Sequence, residues 1–219
     1  MRILIRKILI SIILYFIWPN IWFLLLINDI YNDPFYLIGL ILYYLFSFAD
    51  VMIRPMEERG RDALSDKYGK IMALLILSSP IWFCVYVYEY RILLVQFVDP
   101  SFSVIGVAVF IAGNVILLTS RIQLGRFASA KLKIQEDHEL FTSGIYKYIR
   151  NPIYTGGLLT VLGMGLIFRS LVIATIGLVI YTYVLLQRIA REEELLEKEF
   201  GDAFIQYKKG TKRLIPLVY

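Results

Sequence analysis

Charge is scarce in this 219-residue chain: Asp, Glu, Lys and Arg together make up 19 %, against about 25 % in soluble globular proteins. Apolar residues reach 58 %, where roughly 45–50 % is usual, and mean hydropathy is +0.66. A soluble globule of this size would expose far more apolar surface than monomers tolerate. Disorder and a coiled coil are excluded on the same ground. Cysteine is nearly absent: Cys84 has no partner for an intrachain disulfide, which excludes a disulfide-stapled secreted domain. With His138 the sole histidine, a zinc site of Cys and His ligands is excluded too. No strand pattern is evident, so no Gly-rich nucleotide-binding turn can follow one. An all-α integral membrane protein remains.

A membrane-spanning helix needs about 20 apolar residues, or somewhat fewer where the bilayer adapts. Six predicted spans fit: Ile8–Ile27, Tyr36–Ile53, Ile71–Tyr88, Ser103–Ile122, Ile153–Phe168 and Ser170–Gln187. The first follows Arg2, Arg6 and Lys7, but no alanine precedes Ala49. Without a small-residue cleavage site it reads as a membrane helix and not a signal peptide. Only Arg169 separates the last two spans, which predicts a tight hairpin with a short first arm.

The basic residues alternate with these spans. Of the 23 Lys and Arg, 21 fall in the N-terminus, Arg54–Lys70, Arg121–Arg150 and Arg188–Arg213; Arg91 and Arg169 fall on the other side. This bias predicts a polytopic bundle of about six helices with both termini in the cytoplasm. It also explains the net charge of +5 without nucleic acid as a partner. Residues 1–122 form an N-terminal four-helix membrane region. Residues 123–219 form a second region, in which the Arg121–Arg150 segment and the C-terminal tail bracket the hairpin. A reaction centre would lie where those two meet the cytoplasmic membrane surface.

Two constellations carry chemistry. In Arg150-Asn151-Pro152-Ile153-Tyr154-Thr155-Gly156, Asn151 and Pro152 suit an N-cap and first helical residue. The free N–H groups of that first turn suit an anion, beside Tyr146 and Tyr154. In Arg188-Ile189-Ala190-Arg191-Glu192-Glu193-Glu194, Arg188 and Glu192 share a helical face and suit an ion pair. Such a carboxylate can grip hydroxyls or an amine, and the arginine a substrate carboxylate. Elsewhere, Asp50 and Arg54 suit an intrahelical pair, Asn114 an interhelical hydrogen bond, and Ser78-Ser79-Pro80 a kink. The residues themselves yield a helical bundle with a cytoplasmic site and leave the reaction open.

The stretch His138-Glu139-Leu140-Phe141-Thr142-Ser143-Gly144-Ile145-Tyr146, followed by Arg150-Asn151-Pro152-Ile153-Tyr154-Thr155-Gly156, resembles the isoprenylcysteine carboxyl methyltransferase family. So does the later order Arg188, Glu192-Glu193, Leu196, Phe200-Gly201, Tyr207 and Pro216. The match covers roughly Leu124–Pro216. The resemblance implies an integral-membrane enzyme, with residues 123–219 as its catalytic core, that transfers a methyl group from S-adenosylmethionine. The acceptor it implies is lipophilic: the α-carboxylate of an S-isoprenylcysteine. His138, Glu139, Leu140, Phe141, Tyr146, Asn151, Pro152, Ile153, Tyr154 and Glu192 would bind the cofactor. Arg188 would hold the substrate carboxylate, and Arg188 and Glu192 would be the catalytic pair. Asn151 departs from the family's histidine: it can donate and accept hydrogen bonds but cannot titrate.

Three alternatives stand beside this reading. A phospholipid head-group amine methyltransferase would need a proton acceptor, for which Glu193 or His138 is the candidate. A sterol-reductase-like enzyme would need NADPH and positive charge for its 2′-phosphate. A membrane scaffold with a decayed site would need neither. The expected surroundings are the lipid bilayer, with no metal, and oligomeric state is not fixed by the sequence.

Overall fold

The structure, a computed structural model, describes residues 33–53, 99–127 and 140–214, with residues 12–17 and the single positions 5, 9, 21, 70, 71, 74, 82, 85, 86 and 89. His138 and Glu139 lie outside the described residues, as do Cys84, Arg54, Pro216 and most of the predicted spans Ile8–Ile27 and Ile71–Tyr88.

A helix of 20 residues rises about 30 Å, the depth of a bilayer's hydrocarbon core. Three helices have the length and apolar composition to cross a membrane: α1 (Pro34–Ile53), α2 (Ser101–Leu124) and α4 (Leu171–Phe200). The apolar α3 (Pro152–Ile167) is shorter, at 16 residues. Helix α5 (Asp202–Gly210) follows Gly201, whose φ of +52° ends α4. The predicted spans in these regions agree with the helices to within about two residues, except that α4 runs on to Phe200. Its 30 residues rise about 45 Å, so the charged Arg188–Phe200 end projects past an apolar Leu171–Gln187 stretch. Short turns of 3-10 helix cover Gly125–Phe127 and Gly144–Lys147, and Ile12–Ile17 is a π-helical turn.

Helices α2 and α3 pack antiparallel with their backbones nearly touching. A Cβ added to Gly113 would meet Thr160 N at 2.7 Å, and one on Gly163 would meet Phe110 N at 2.5 Å. Small residues at such crossings let membrane helices approach where no hydrophobic effect drives them together. Around that seam Tyr36, Leu40, Tyr86, Phe110, Met164, Ile167, Phe168 and Ala174 form the core. Outward, Leu37, Ile41, Leu45 and Phe48 on α1, and Val172, Ile176, Val179 and Tyr183 on α4, stay exposed. Their helical spacing makes apolar stripes suited to lipid.

Polar anchors fix both ends of the bundle. At one end Ser103 Oγ donates to Ile167 O (2.8 Å), and the α3–α4 turn places Arg169 at φ +55°. The buried Arg169 guanidinium pairs there with Asp33, just ahead of α1. Glu89, 2 % exposed, caps α4 from another segment: it accepts Val172 N–H and Ile173 N–H (both 2.9 Å) and the Ser170 hydroxyl. At the other end Asp50 pairs with Arg121 Nε (2.8 Å). Helices α1, α2 and α4 therefore all start at the Arg169 end, and α3 ends there.

Asp50 pairs with Arg121 across the bundle on α2, both groups partly buried; the expected pair with Arg54 lies outside the described residues. One expectation about polar side chains changes. Asn114 donates to Phe110 O (2.9 Å) within its own helix and not across an interface. The carbonyl one helical turn back lies within reach of a short polar side chain in any helix.

Candidate functional site

Three side chains from the two motif blocks converge where α3 begins and the apolar part of α4 ends. Tyr154, in the first turn of α3, donates its hydroxyl to Glu192 Oε1 (2.5 Å) and accepts from Arg188 Nε (2.6 Å). Arg188 Nε also reaches Glu192 Oε1 directly (2.9 Å), the pair predicted from the four-residue spacing. The Arg188 side chain is 4 % exposed and that of Glu192 25 %. Arg188 Cζ lies 6.0 Å from the Tyr154 ring centroid, within the range of a cation–π contact.

The adjacent Glu193 faces the other way. Its Oε1 accepts from Arg150 Nε (3.1 Å) and Asn151 Nδ2 (3.2 Å), and its Oε2 lies 3.3 Å from Arg213 Nε. Residues 211–214 form a strap laid along the start of α3. Ile149 and Lys212 make a parallel bridge, with Arg150 N–H donating to Lys212 O (2.8 Å) and Lys212 N–H to Tyr148 O (3.1 Å). Arg150 Nη1 adds bonds to Lys208 O (3.1 Å) and Thr211 O. The Thr155 hydroxyl donates to Leu214 O (2.6 Å).

Asn151 occupies the predicted N-cap position, but its side chain makes no cap bond. Its Nδ2 instead donates to Glu193 and to Arg213 O (3.1 Å). Pro152 carries no N–H, and the Tyr154 and Thr155 N–H groups both turn back to Asn151 O. Ile153 N–H is thus the first-turn donor without a backbone acceptor among the described residues. The expected anion site at this helix start contracts to a single donor.

The loop ahead of α3 is held from α2. The Gln123 side chain accepts Ile145 N–H (3.2 Å), against Gly144 at φ +61°; a Cβ on Gly144 would strike that amide. Tyr146 is buried, its hydroxyl 3.4 Å from Ser120 O, and Phe141 meets its ring edge-on at 5.4 Å. Leu140 is half-buried beside it. Burial pushes the Tyr146 hydroxyl well above the ordinary phenol range. It also raises Tyr207, to about 12, with Glu193 adding to the rise and Arg150 opposing it. Both stay neutral, and Tyr207 donates to Tyr146 O (2.7 Å).

Leu140, Phe141, Tyr146, Asn151, Pro152, Ile153, Tyr154, Arg188 and Glu192 thus belong to one region joining α2, α3 and α4. Sequence reasoning missed Gln123, Arg150, Arg213 and Thr155. Arg150 and Thr155 stood within the first motif block, but Arg150's partner Glu193 is more than forty residues away.

Chemically, a half-exposed carboxylate beside a buried guanidinium and aromatic faces can bind a cationic, partly apolar ligand and an anionic one side by side. Residues 102–203 match the family model described as phospholipid methyltransferase. Over 127 residues the chain is 29 % identical to protein-S-isoprenylcysteine O-methyltransferase of Schizosaccharomyces pombe, covering 57 % of this chain and 54 % of that one. Over 115 residues it is 30 % identical to protein-S-isoprenylcysteine O-methyltransferase A of Arabidopsis thaliana, covering 52 % and 58 %. The chain therefore spans little more than half the length of these relatives. In fold it is similar to a eukaryotic intramembrane Ras methyltransferase, isoprenylcysteine carboxyl methyltransferase, with a TM-score of 0.63. That likeness covers 95 % of this chain and 73 % of the other, at 21 % identity. The chain is thus similar in sequence, over about half its length, to protein-S-isoprenylcysteine O-methyltransferases, and in fold to an intramembrane methyltransferase.

Proposed function

We propose that this protein is an integral-membrane, S-adenosylmethionine-dependent methyltransferase whose acceptor is the α-carboxylate of a C-terminal S-isoprenylcysteine. The observation that carries this reading is the Tyr154–Arg188–Glu192 cluster, in which both motif blocks meet at the end of an apolar helix. Bound S-adenosylmethionine supplies a methyl group already activated on a sulfonium. The site's residues fit such a ligand: Glu192 offers a carboxylate to its cationic or hydroxyl groups, Ile153 N–H one donor, and Phe141, Tyr146 and Tyr154 aromatic surface. His138, Glu139, Leu140, Asn151 and Pro152 complete the proposed pocket.

The protein's work is then alignment. An acceptor carboxylate is ionised at neutral pH and needs no general base. Arg188, fixed through Nε by Tyr154 and Glu192, supplies the charge that holds it. Holding donor and nucleophile in line at near-contact distance is worth several kcal/mol. The Arg188 side chain, 4 % exposed, is itself largely out of water. The acceptor's lipid chain enters between helices from the bilayer.

A head-group amine would require a proton acceptor. Glu192 already accepts from Tyr154 and Arg188, and Glu193 from Arg150 and Asn151 with Arg213 alongside. His138, the other candidate, lies outside the described residues.

The proposed arrangement is six spans with both termini and the site in the cytoplasm. Residues 1–122 form the membrane region, and 123–219 carry the chemistry. The shared direction of α1 and α2 supports it, since the chain between them must return to the Arg169 end, where Glu89 lies.

Equilibrium binding of S-adenosylmethionine to the purified protein tests the reading, alongside Glu192→Ala and with NADPH as competitor. Micromolar binding weakened at least tenfold by the substitution, about 1.4 kcal/mol, is expected. No binding to folded protein, or binding of NADPH instead, would refute it.

A further inference from the structure

Two neighbouring glutamates on α4 point to different tasks. Glu192 faces Tyr154 and Arg188, while Glu193 is enclosed by Arg150, Asn151 and Arg213, its side chain 10 % exposed. One atom, Asn151 Nδ2, joins Glu193 to the strap backbone by donating to Glu193 Oε1 and to Arg213 O. A primary amide is suited to this because one nitrogen carries two N–H groups. An imidazole carries at most one N–H on each nitrogen, so from the same place it could serve only one of the two acceptors. Asn151 also immediately precedes α3, and its carbonyl takes the Tyr154 and Thr155 N–H groups. Any displacement of Asn151 therefore moves the turn that carries Tyr154.

We propose that Asn151 is a positioning residue: its amide latches the C-terminal strap to Glu193 and so locks the start of α3 against the stretch of α4 that carries Arg188 and Glu192. Three segments far apart in sequence meet there, the α3 start, α4 and residues 211–214. Arg150 reinforces the latch from the same turn, holding Glu193 by Nε and the strap carbonyls by Nη1. Arg213 closes it from the strap. In this arrangement the strap is part of the site's frame, and asparagine at position 151 is the residue that fits it. Only the kinetic arm of the test below rests on the methyl-transfer reading.

The test uses the full chain in detergent or nanodiscs, as wild type, Asn151→Ala, Asn151→His and Arg213→Ala. Amide hydrogen exchange is followed over 208–214 and 188–196, with 105–118 on α2 as the folding control. Asn151→Ala is expected to speed exchange of the strap and of 188–196 at least tenfold while the α2 segment keeps its protection. Asn151→His falls between it and wild type, and Arg213→Ala loosens the same two segments. In methyl transfer, both Asn151→Ala and Arg213→Ala raise KM for S-adenosylmethionine at least fivefold. Loss of folded protein alone would lower only the apparent kcat. Unchanged exchange in Asn151→Ala overturns the latch. A donor KM that rises in Asn151→Ala and not in Arg213→Ala overturns positioning in favour of a direct contact. If wild-type protein transfers no methyl group, the proposed function falls, and the exchange measurements still decide the latch and its reach into 188–196.

Discussion

The Tyr154 hydroxyl lies between two charged residues one helical turn apart on α4, 2.5 Å from Glu192 Oε1 and 2.6 Å from Arg188 Nε. One hydroxyl thereby donates to the carboxylate and accepts from the guanidinium, fixing both relative to α3. Tyr154→Phe keeps the ring and removes both bonds. Leaving partly buried charged groups short of a partner costs about 1–3 kcal/mol. In a methyl-transfer assay kcat/KM should fall about tenfold or more, since each tenfold is roughly 1.4 kcal/mol, and thermal stability should fall with it. Unchanged kcat/KM would remove Tyr154 from the site.

The α2–α3 crossing has no room for a methyl group. Gly113→Ala would bring its Cβ to 2.7 Å from a backbone nitrogen and 2.8 Å from Gly156 O. Overpacking of this kind costs about 1–3 kcal/mol and should lower Tm in detergent. Gly201 is a control of a different kind: nothing lies within 4 Å of a Cβ there, but φ is +52°. Gly201→Ala should cost about 1–2 kcal/mol from backbone conformation alone and loosen α5 more than the bundle. Equal effects on the α2–α3 seam, read by hydrogen exchange, would contradict this distinction.

At the α3–α4 turn, Arg169 combines a left-handed backbone with an ion pair to Asp33. Arg169→Ala loses the pair and keeps the unfavourable φ; Arg169→Gly loses the pair and relieves it. The glycine variant should be the more stable of the two by about 1 kcal/mol. Denaturation of the two proteins side by side reads this directly, and an alanine variant as stable as the glycine one would refute it.

Glu89 is the cap of α4. Its removal in Glu89→Ala strands the buried Ser170 hydroxyl and the part-buried Val172 and Ile173 N–H groups, costing on the order of 2–3 kcal/mol. Glu89→Gln retains one acceptor oxygen and should fall between. Thermal unfolding in the same detergent orders the three proteins.

Much of this was legible in the sequence because it is local. Apolar run length located α1, α2, α3 and the membrane part of α4, and the four-residue spacing of Arg188 and Glu192 gave their pair. Asn151-Pro152 marked the start of α3. What the sequence did not disclose depends on partners far along the chain. Asn151's amide leaves its own helix for Glu193 and Arg213, Asp50 pairs with Arg121, and Glu89 caps a helix starting more than eighty residues later. The glycines of α2 and α3 carry no periodic signal that separates a close crossing from a flexible apolar helix. The same holds for the strap, whose residues carry no pairing signal until the backbone of 148–150 lies beside it.

The most direct test of the proposed chemistry follows a labelled methyl group from S-adenosylmethionine to N-acetyl-S-farnesylcysteine with the protein in nanodiscs. Label that alkali releases as methanol, from wild type and at least tenfold less from Arg188→Ala, is the predicted result, since only a carboxyl methyl ester is labile in this way. Folded protein that transfers no label to the prenylcysteine, or that leaves alkali-stable label on a phospholipid amine, would contradict it.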